Sequence, residues 1–130
     1  MTNTLALDIG GANIKAADGL GYARSWPFAL WNAPSQLAGQ LAECLAAAPA
    51  ADKIVVTMTG ELCDCFATKR AGVRAIVEST LAVAGDTPVA FYQTTGEFVS
   101  AQYAIDNHIL TAASACQLLA AVRMWLSMAY

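Results

Sequence analysis

The stretch from residue 5 to residue 17, Leu-Ala-Leu-Asp-Ile-Gly-Gly-Ala-Asn-Ile-Lys-Ala-Ala, constrains the fold more than any other part of the chain. An apolar run of strand character carries Asp8 near its end and turns on two adjacent glycines, after which apolar residues alternate along the chain. Glycine has no Cβ and tolerates a positive φ, so the pattern predicts two strands joined by a tight turn.

The same turn also has a chemical interpretation. Backbone N–H groups exposed at a glycine turn can hold a phosphate. Asp8 beside the turn can hold Mg²⁺ directly or through water, and Lys15 can neutralise phosphate charge. The alternative is an ordinary β-hairpin in which Asp8 only caps the turn. A short glycine motif does not by itself distinguish the two.

Composition limits the classes of function. The 130 residues suit one domain, and 57% of them are hydrophobic. Only 13% are charged, whereas charged residues usually make up about a quarter of a soluble domain. The apolar excess indicates a face that a second lobe or a partner covers. A net charge of -3 without a cluster of Lys and Arg argues against sequence-independent nucleic-acid binding.

The four cysteines fit neither a zinc site nor a disulfide framework. Cys63 and Cys65 are separated by a single residue, and His108 is the only histidine of the sequence. Cys44 and Cys116 lie in apolar helical patterns, where a thiol behaves as a small hydrophobe. Asp8 interrupts the first apolar stretch and no basic segment precedes it, so no signal peptide is expected and the cytoplasm is the predicted location.

Hydrophobic periodicity predicts an α/β chain with the order three strands, helix, strand, helix, strand, helix. This order resembles the ribonuclease H-like unit, a mixed sheet with helices packed on it. We expect residues 1–108 to form that lobe and residues 109–130 to form an apolar helix that packs on the lobe or on a partner. Gln117 and Arg123 interrupt the apolar tail, which makes a membrane span the less favoured interpretation.

A second candidate segment follows the buried strand predicted over residues 53–58. In open α/β sheets ligands bind at the carboxyl ends of strands, and Glu61 and Asp64 lie just beyond this one. If a helix begins near Glu61, the two carboxylates share one side of its first turn. The simpler interpretation is that they stabilise a helix dipole, and that Lys69 belongs to a solvated helix face.

These two segments together resemble a known family, the hydantoinase/oxoprolinase-like proteins linked to tetrahydromethanopterin C1 transfer. The resemblance is carried by Asp8–Ala17, by Thr57–Leu62 with Asp64, Phe66, Lys69 and Gly72–Ile76, and by Phe91-Tyr92 with Gly96–Ser100. It extends over roughly residues 4–113. It implies one lobe of the superfamily of sugar kinases, actin and chaperone ATPases, whose members hold a phosphate-bearing ligand and Mg²⁺ between two lobes.

The resemblance also implies roles for individual residues. Asp8 would position Mg²⁺ or water, and Lys15 would contact phosphate oxygens. Phosphate would accept hydrogen bonds from the N–H groups of Gly10, Gly11, Ala12 and Asn13. Glu61, Asp64 and Lys69 would line the facing wall of the cleft. Together with Asp8, they would be the catalytic residues.

The implied activity is that of a transferase acting on a phosphorylated or diphosphorylated small molecule, in the biosynthesis of a C1-carrier cofactor of the methanofuran type. The ligand would be ATP or a diphosphate-bearing substrate, with Mg²⁺ as cofactor. The partner would be a second lobe or another copy of the chain, and the 130 residues alone would catalyse little.

Two other classes of function stay open at this point. Asp8 with Glu61 or Asp64 would supply the carboxylates of a metal-dependent nuclease on the same fold, although no basic surface accompanies them. Alternatively, an exposed apolar helix over residues 109–130 would make the chain a non-catalytic interaction module.

Overall fold

A computed structural model describes residues 3–112 as an α/β protein with one six-stranded mixed sheet. The strands are β1 (Thr4–Ile9), β2 (Asn13–Ala17), β3 (Ala23–Pro27), β4 (Lys53–Met58), β5 (Val89–Tyr92) and β6 (Phe98–Val99). The helices are α1 (Leu37–Ala47), α2 (Lys69–Ala84), α3 (Ala101–Asp106) and α4 (His108–Thr111). Two single 3₁₀ turns, Pro34–Gln36 and Gly60–Leu62, precede α1 and follow β4.

The sheet places the first strand at its centre. The strand order is β3-β2-β1-β4-β5-β6. Neighbours are antiparallel from β1 to β3, parallel from β1 through β4 to β5, and antiparallel again at β6. The three-strand meander predicted for the N-terminal part is therefore confirmed, whereas the two-residue strand β6 was not predicted because two residues show no periodicity.

One face of the sheet forms the core. Leu7 lies between Ala16 and Val56, and Ile9 lies between Ile14 and Met58, so all of these residues point to the same side. The helices complete this core with the buried residues Leu37, Leu41, Cys44, Val73, Ile76 and Val77. Asp8 alternates with Leu7 and Ile9 along β1 and therefore points to the opposite face of the sheet. It lies level with Lys15 in β2 and with Thr57 in β4.

The helix starts differ in how they are capped. The Thr68 side chain accepts the Ala71 N–H at the start of α2, and the Ser100 side chain accepts the Tyr103 N–H at the start of α3. Asn32 and Ser35 are of residue types that commonly cap helices, but neither caps α1. Pro34 opens a 3₁₀ turn there, and the chain enters α1 through Gln36 without a side-chain cap.

The end of the described chain bears on the predicted division at residue 108. Helix α4 ends at Thr111, and Ala112 takes an extended conformation. Residues 113–130 lie outside the described residues, and so does most of the helix predicted over 109–130, so the division stays a prediction. Between residues 3 and 112, no helix has the length and apolar character needed to cross a membrane.

Candidate functional site

The candidate site lies at the edge of the sheet where β1 and β4 both end. These strands are parallel neighbours, so their carboxyl ends meet. The Thr59 N–H, just after β4, donates to the Ile9 oxygen at 3.0 Å. The segment after β4 is thereby attached to the turn between β1 and β2.

The turn between β1 and β2 uses its glycines for close approach. The Gly10 N–H closes the turn by donating to the Asn13 oxygen at 3.0 Å. Neither Gly10 nor Gly11 has the positive φ that the sequence pattern suggested. A Cβ on Gly10 would lie 3.2 Å from the Asn13 oxygen, and one on Gly11 would lie 2.9 Å from the Cys63 Sγ.

The N–H groups of the turn are only partly available. The Gly10 N–H is already bonded to Asn13, so the phosphate-binding role expected for it would require the turn to open. The Gly11 and Ala12 oxygens accept from Leu30 and Phe28, at 3.0 and 2.9 Å. Within the described chain, the N–H groups of Gly11 and Ala12 donate to no backbone acceptor. Two adjacent donors therefore remain for a ligand at this edge.

Asp8 supplies an unsatisfied acceptor in β1, the strand that leads into this turn. Its Oδ1 is buried and accepts no hydrogen bond from residues 3–112. Burial raises the pKa of the Asp8 carboxyl above its ordinary value, and the positive charge of Lys15 across the strand pair counteracts this only in part. A buried, unsatisfied carboxylate oxygen is costly, and a bound cation would offset that cost.

Asp8→Asn is expected to stabilise the ligand-free protein at neutral pH. A carboxyl whose pKa is raised on folding contributes stability below its unfolded pKa and loses it as the pH rises through the folded pKa. The ionised side chain is therefore a cost at pH 7 that asparagine removes. The gain should stay below about 1 kcal/mol, because Asp8 is partly exposed and solvent screens its charge.

Urea unfolding at several pH values between 5 and 7.5 measures this effect. The advantage of Asp8→Asn should shrink as the pH falls towards the ordinary carboxyl value of 3.8. Asp86→Asn, at an exposed position beyond α2, is the matched control and should show no such trend. A loss of stability in Asp8→Asn at pH 7 would contradict the interpretation.

Behind the turn, Glu61 is held by unusually close backbone packing. It lies in the 3₁₀ turn after β4 and is only 2% exposed. A Cβ on Gly72 of α2 would lie 2.8 Å from the Glu61 Cα and oxygen. A Cβ on Gly60 would lie 3.2 Å from the Ile9 oxygen. Helix α2, the Glu61 turn and the end of β1 are therefore in direct contact.

The remaining predicted site residues lie on the surface. Asp64 is exposed and Lys69 is the exposed first residue of α2. The condition under which Glu61 and Asp64 would share one side of a helical turn is not met, because a single 3₁₀ turn lies at Glu61 and α2 begins only at Lys69. The structure thus brings Asp8, Lys15 and the glycine turn together, and it leaves Asp64 and Lys69 without a described role.

In the described part of the chain, Asp8 belongs to no cluster of metal-ligating side chains. Among residues 3–112, no group of three or more His, Cys, Asp or Glu side chains is placed to hold a metal ion. A two-metal nuclease site depends on several carboxylates, and nothing in this arrangement favours it. Mg²⁺ differs, because it commonly takes one or two carboxylates together with phosphate oxygens and water.

Two structural residues of the site escaped sequence reasoning. The sequence pattern gives Gly72 only a place in a motif and gives Leu30 no role. Leu30 is fully buried, its N–H bonds the Gly11 oxygen, and its Cδ2 would lie 2.7 Å from a Cβ on Gly60. Both residues act through contacts between distant segments, for which hydrophobic periodicity gives no signal. For Gly72, the presence of a glycine inside a helical pattern is the one indication of a packing role.

Comparisons with known proteins give one informative similarity. No family model matches the chain. The chain is 31% identical over 113 residues to a protein of Methanocaldococcus jannaschii named (4-{4-[2-(gamma-L-glutamylamino)ethyl]phenoxymethyl}furan-2-yl)methanamine synthase. The match covers 85% of this chain but only 33% of that protein. The chain thus spans about a third of the length of this curated relative, to which it shows a distant similarity.

Proposed function

We propose that residues 3–112 form the phosphate-binding lobe of a transferase that acts on a phosphorylated or diphosphorylated small molecule with Mg²⁺. The observation that carries the proposal is the buried, unsatisfied Oδ1 of Asp8 in the strand that leads into the turn, together with the Gly11 and Ala12 N–H groups of that turn, which donate to no backbone acceptor in the described chain. An acceptor for a cation and two donors for an anion thus lie at one edge of the sheet. A metal–phosphate pair supplies both the cation and the anion that these groups would bind.

Each residue has a distinct part in this proposal. Asp8 would hold the cation, and the Gly11 and Ala12 N–H groups would bind phosphate oxygens. Lys15 lies opposite Asp8 and is exposed, so its ammonium would contact the outer phosphate charge. Bound Mg²⁺ would neutralise charge on a departing phosphate or diphosphate. Glu61, Asp64 and Lys69 stay proposed residues of the facing wall.

The relative supports a role in cofactor biosynthesis. Its name describes the synthesis of a furan methanamine that carries a phenoxymethyl group. We propose that this chain serves a related reaction on a C1-carrier cofactor of the methanofuran type, with ATP or a diphosphate-bearing precursor as the phosphate ligand.

The sheet supports the finer assignment of the fold. A central parallel pair next to an antiparallel meander is compatible with the ribonuclease H-like lobe of the actin and sugar kinase superfamily, and we propose that fold together with membership of the hydantoinase/oxoprolinase-like family. The match covers only 33% of the relative. We therefore propose that a second lobe or a second copy completes the cleft.

Titration with inorganic diphosphate in the presence of Mg²⁺ tests the proposal on the chain as it stands. We expect weak binding, with a Kd of roughly millimolar order, because half a cleft offers few contacts. Lys15→Gln should weaken it about tenfold, since a hydrogen bond to a charged group is worth about 1.5–3 kcal/mol.

Lys53→Gln is the matched control for this titration. Lys53 is also an exposed strand lysine, but it begins β4 and lies at the opposite end of that strand from the site. It should leave diphosphate affinity unchanged. Equal losses in the two variants would reveal a general charge effect and would refute a site at the glycine turn.

A further inference from the structure

A pair of thiols lies directly against the glycine turn. Cys63 and Cys65 occupy the segment between the Gly60–Leu62 turn and α2, and both are partly buried. After burial, Cys65 does most to raise the pKa of the Cys63 thiol, which indicates that the two side chains lie close together. The Cys63 Sγ is the atom that a Cβ on Gly11 would meet at 2.9 Å.

The second thiol connects the pair to another part of the site. The Cys65 S–H donates to the Leu30 oxygen at 3.6 Å. The Leu30 N–H in turn donates to the Gly11 oxygen at 3.0 Å. Both cysteines are therefore connected to Gly11, Cys63 by direct contact and Cys65 through Leu30.

We propose that Cys63 and Cys65 form a modification site for hydroperoxides, at which a disulfide closes and alters the glycine turn. One thiolate attacks the peroxide oxygen, which gives a sulfenic acid and releases an alcohol or, from hydrogen peroxide, water. The second thiol attacks the sulfenic sulfur and releases water. Two thiols and one hydroperoxide thus yield one disulfide, one alcohol and one water.

Closing the disulfide removes contacts that hold the turn. A disulfide has no S–H donor, so the bond from Cys65 to the Leu30 oxygen is lost. An S–S bond is only about 2.05 Å long and both thiols are free in the structure, so at least one sulfur must move to form it. Movement of the Cys63 Sγ changes its contact with Gly11, whose N–H is one of the two donors of the site.

The surroundings favour a selective and slow reaction. Burial, followed by the Cys65 side chain and the charges of Glu61 and Asp64, raises the pKa of the Cys63 thiol. Less thiolate is then present at neutral pH, and attack on peroxide is slower. Cys44 is fully buried in the core and has no cysteine neighbour along α1, so it should not respond.

Peptide mapping after treatment with hydrogen peroxide tests the modification. Cleavage after Lys53 and Lys69 isolates both thiols in one fragment, residues 54–69, away from Cys44 and Cys116. We expect this fragment to lose two hydrogen atoms and to resist alkylation until dithiothreitol is added, while Cys44 stays reactive after unfolding. Retained alkylation of the fragment, or a disulfide to Cys44 or Cys116 instead, would overturn the proposal.

The effect on the turn is measured separately by the amide resonances of Gly11 and Leu30. Both should shift when wild-type protein is oxidised and return on reduction. Cys65→Ser keeps a donor for the Leu30 oxygen but cannot form the disulfide, so peroxide should leave these resonances in place. Unchanged resonances in the oxidised wild type would overturn the coupling.

An effect on ligand binding rests on the proposed function. If the reduced chain binds diphosphate with Mg²⁺, oxidation should lower that affinity by roughly two- to tenfold, the worth of a weak hydrogen bond. Equal affinity of the reduced and the oxidised chain for diphosphate would overturn the proposal that the disulfide alters ligand binding. Failure of the reduced chain to bind would refute the proposed function instead, because the mapping and the resonances decide the thiol site independently.

Discussion

Gly72→Ala is expected to destabilise the protein by about 1–3 kcal/mol, the cost of forcing an extra carbon into a well-packed interior. The added Cβ would lie 2.8 Å from the Cα and oxygen of Glu61 and 2.9 Å from its Cβ. Two of these atoms belong to the backbone, so no side-chain rotation relieves the contact. Either α2 or the Glu61 turn must move, and both are attached to the edge of the sheet.

Gly39→Ala is the matched control, because it makes the same change inside the other long helix. Gly39 lies in α1, is exposed, and has nothing within 4 Å of the position a Cβ would take. Alanine should therefore stabilise the protein there by about 0.5–1 kcal/mol, the ordinary difference in helix propensity. Urea unfolding of both variants measures the two free energies. Stabilisation by Gly72→Ala would show that the close approach is not a feature of the folded protein.

The elements of the fold could be predicted largely from the sequence. Alternating apolar residues in Thr4–Ile9 and Asn13–Ala17 and the apolar run of Lys53–Met58 gave the central strands, because burial of one face imposes a period of two and burial of both faces a continuous run. The position of Asp8 next to a glycine turn followed from the same pattern.

The parts that could not be predicted depend on contacts between distant segments. The sequence pattern suggests that glycine is needed at position 11 for its φ. In the structure, glycine is needed there because a side chain would collide with Cys63, fifty-two positions later in the chain. Burial of Glu61 follows from the approach of Gly72, and the buried Oδ1 of Asp8 from its place in a central strand. Local pattern gives no measure of such distances, so it left open whether a helix begins near Glu61, whereas α2 begins only at Lys69.

Asp8→Asn is expected to remove the Mg²⁺ dependence of diphosphate binding. The Asp8 Oδ1 is buried without a partner in the described chain, so it is available to a cation without breaking an existing hydrogen bond. Asparagine keeps the size of the side chain but carries no charge. Loss of a charged partner costs about 1.5–3 kcal/mol, so the affinity measured with Mg²⁺ should fall roughly 10- to 100-fold.

The stability measurement controls for misfolding in this variant. Because Asp8→Asn should be at least as stable as the wild type at pH 7, a loss of binding cannot be attributed to unfolding. A variant that is both more stable and unable to use Mg²⁺ would indicate a side chain maintained for a ligand at the expense of stability.

The most direct measurement is therefore diphosphate binding with and without Mg²⁺, followed by ³¹P NMR for the wild type and Asp8→Asn in parallel. We expect Mg²⁺ to strengthen binding to the wild type and to have no effect on Asp8→Asn, with similar weak affinities for the two proteins when the metal is absent. Equal enhancement by Mg²⁺ in both proteins would contradict a metal–phosphate site at Asp8, and with it the proposed function.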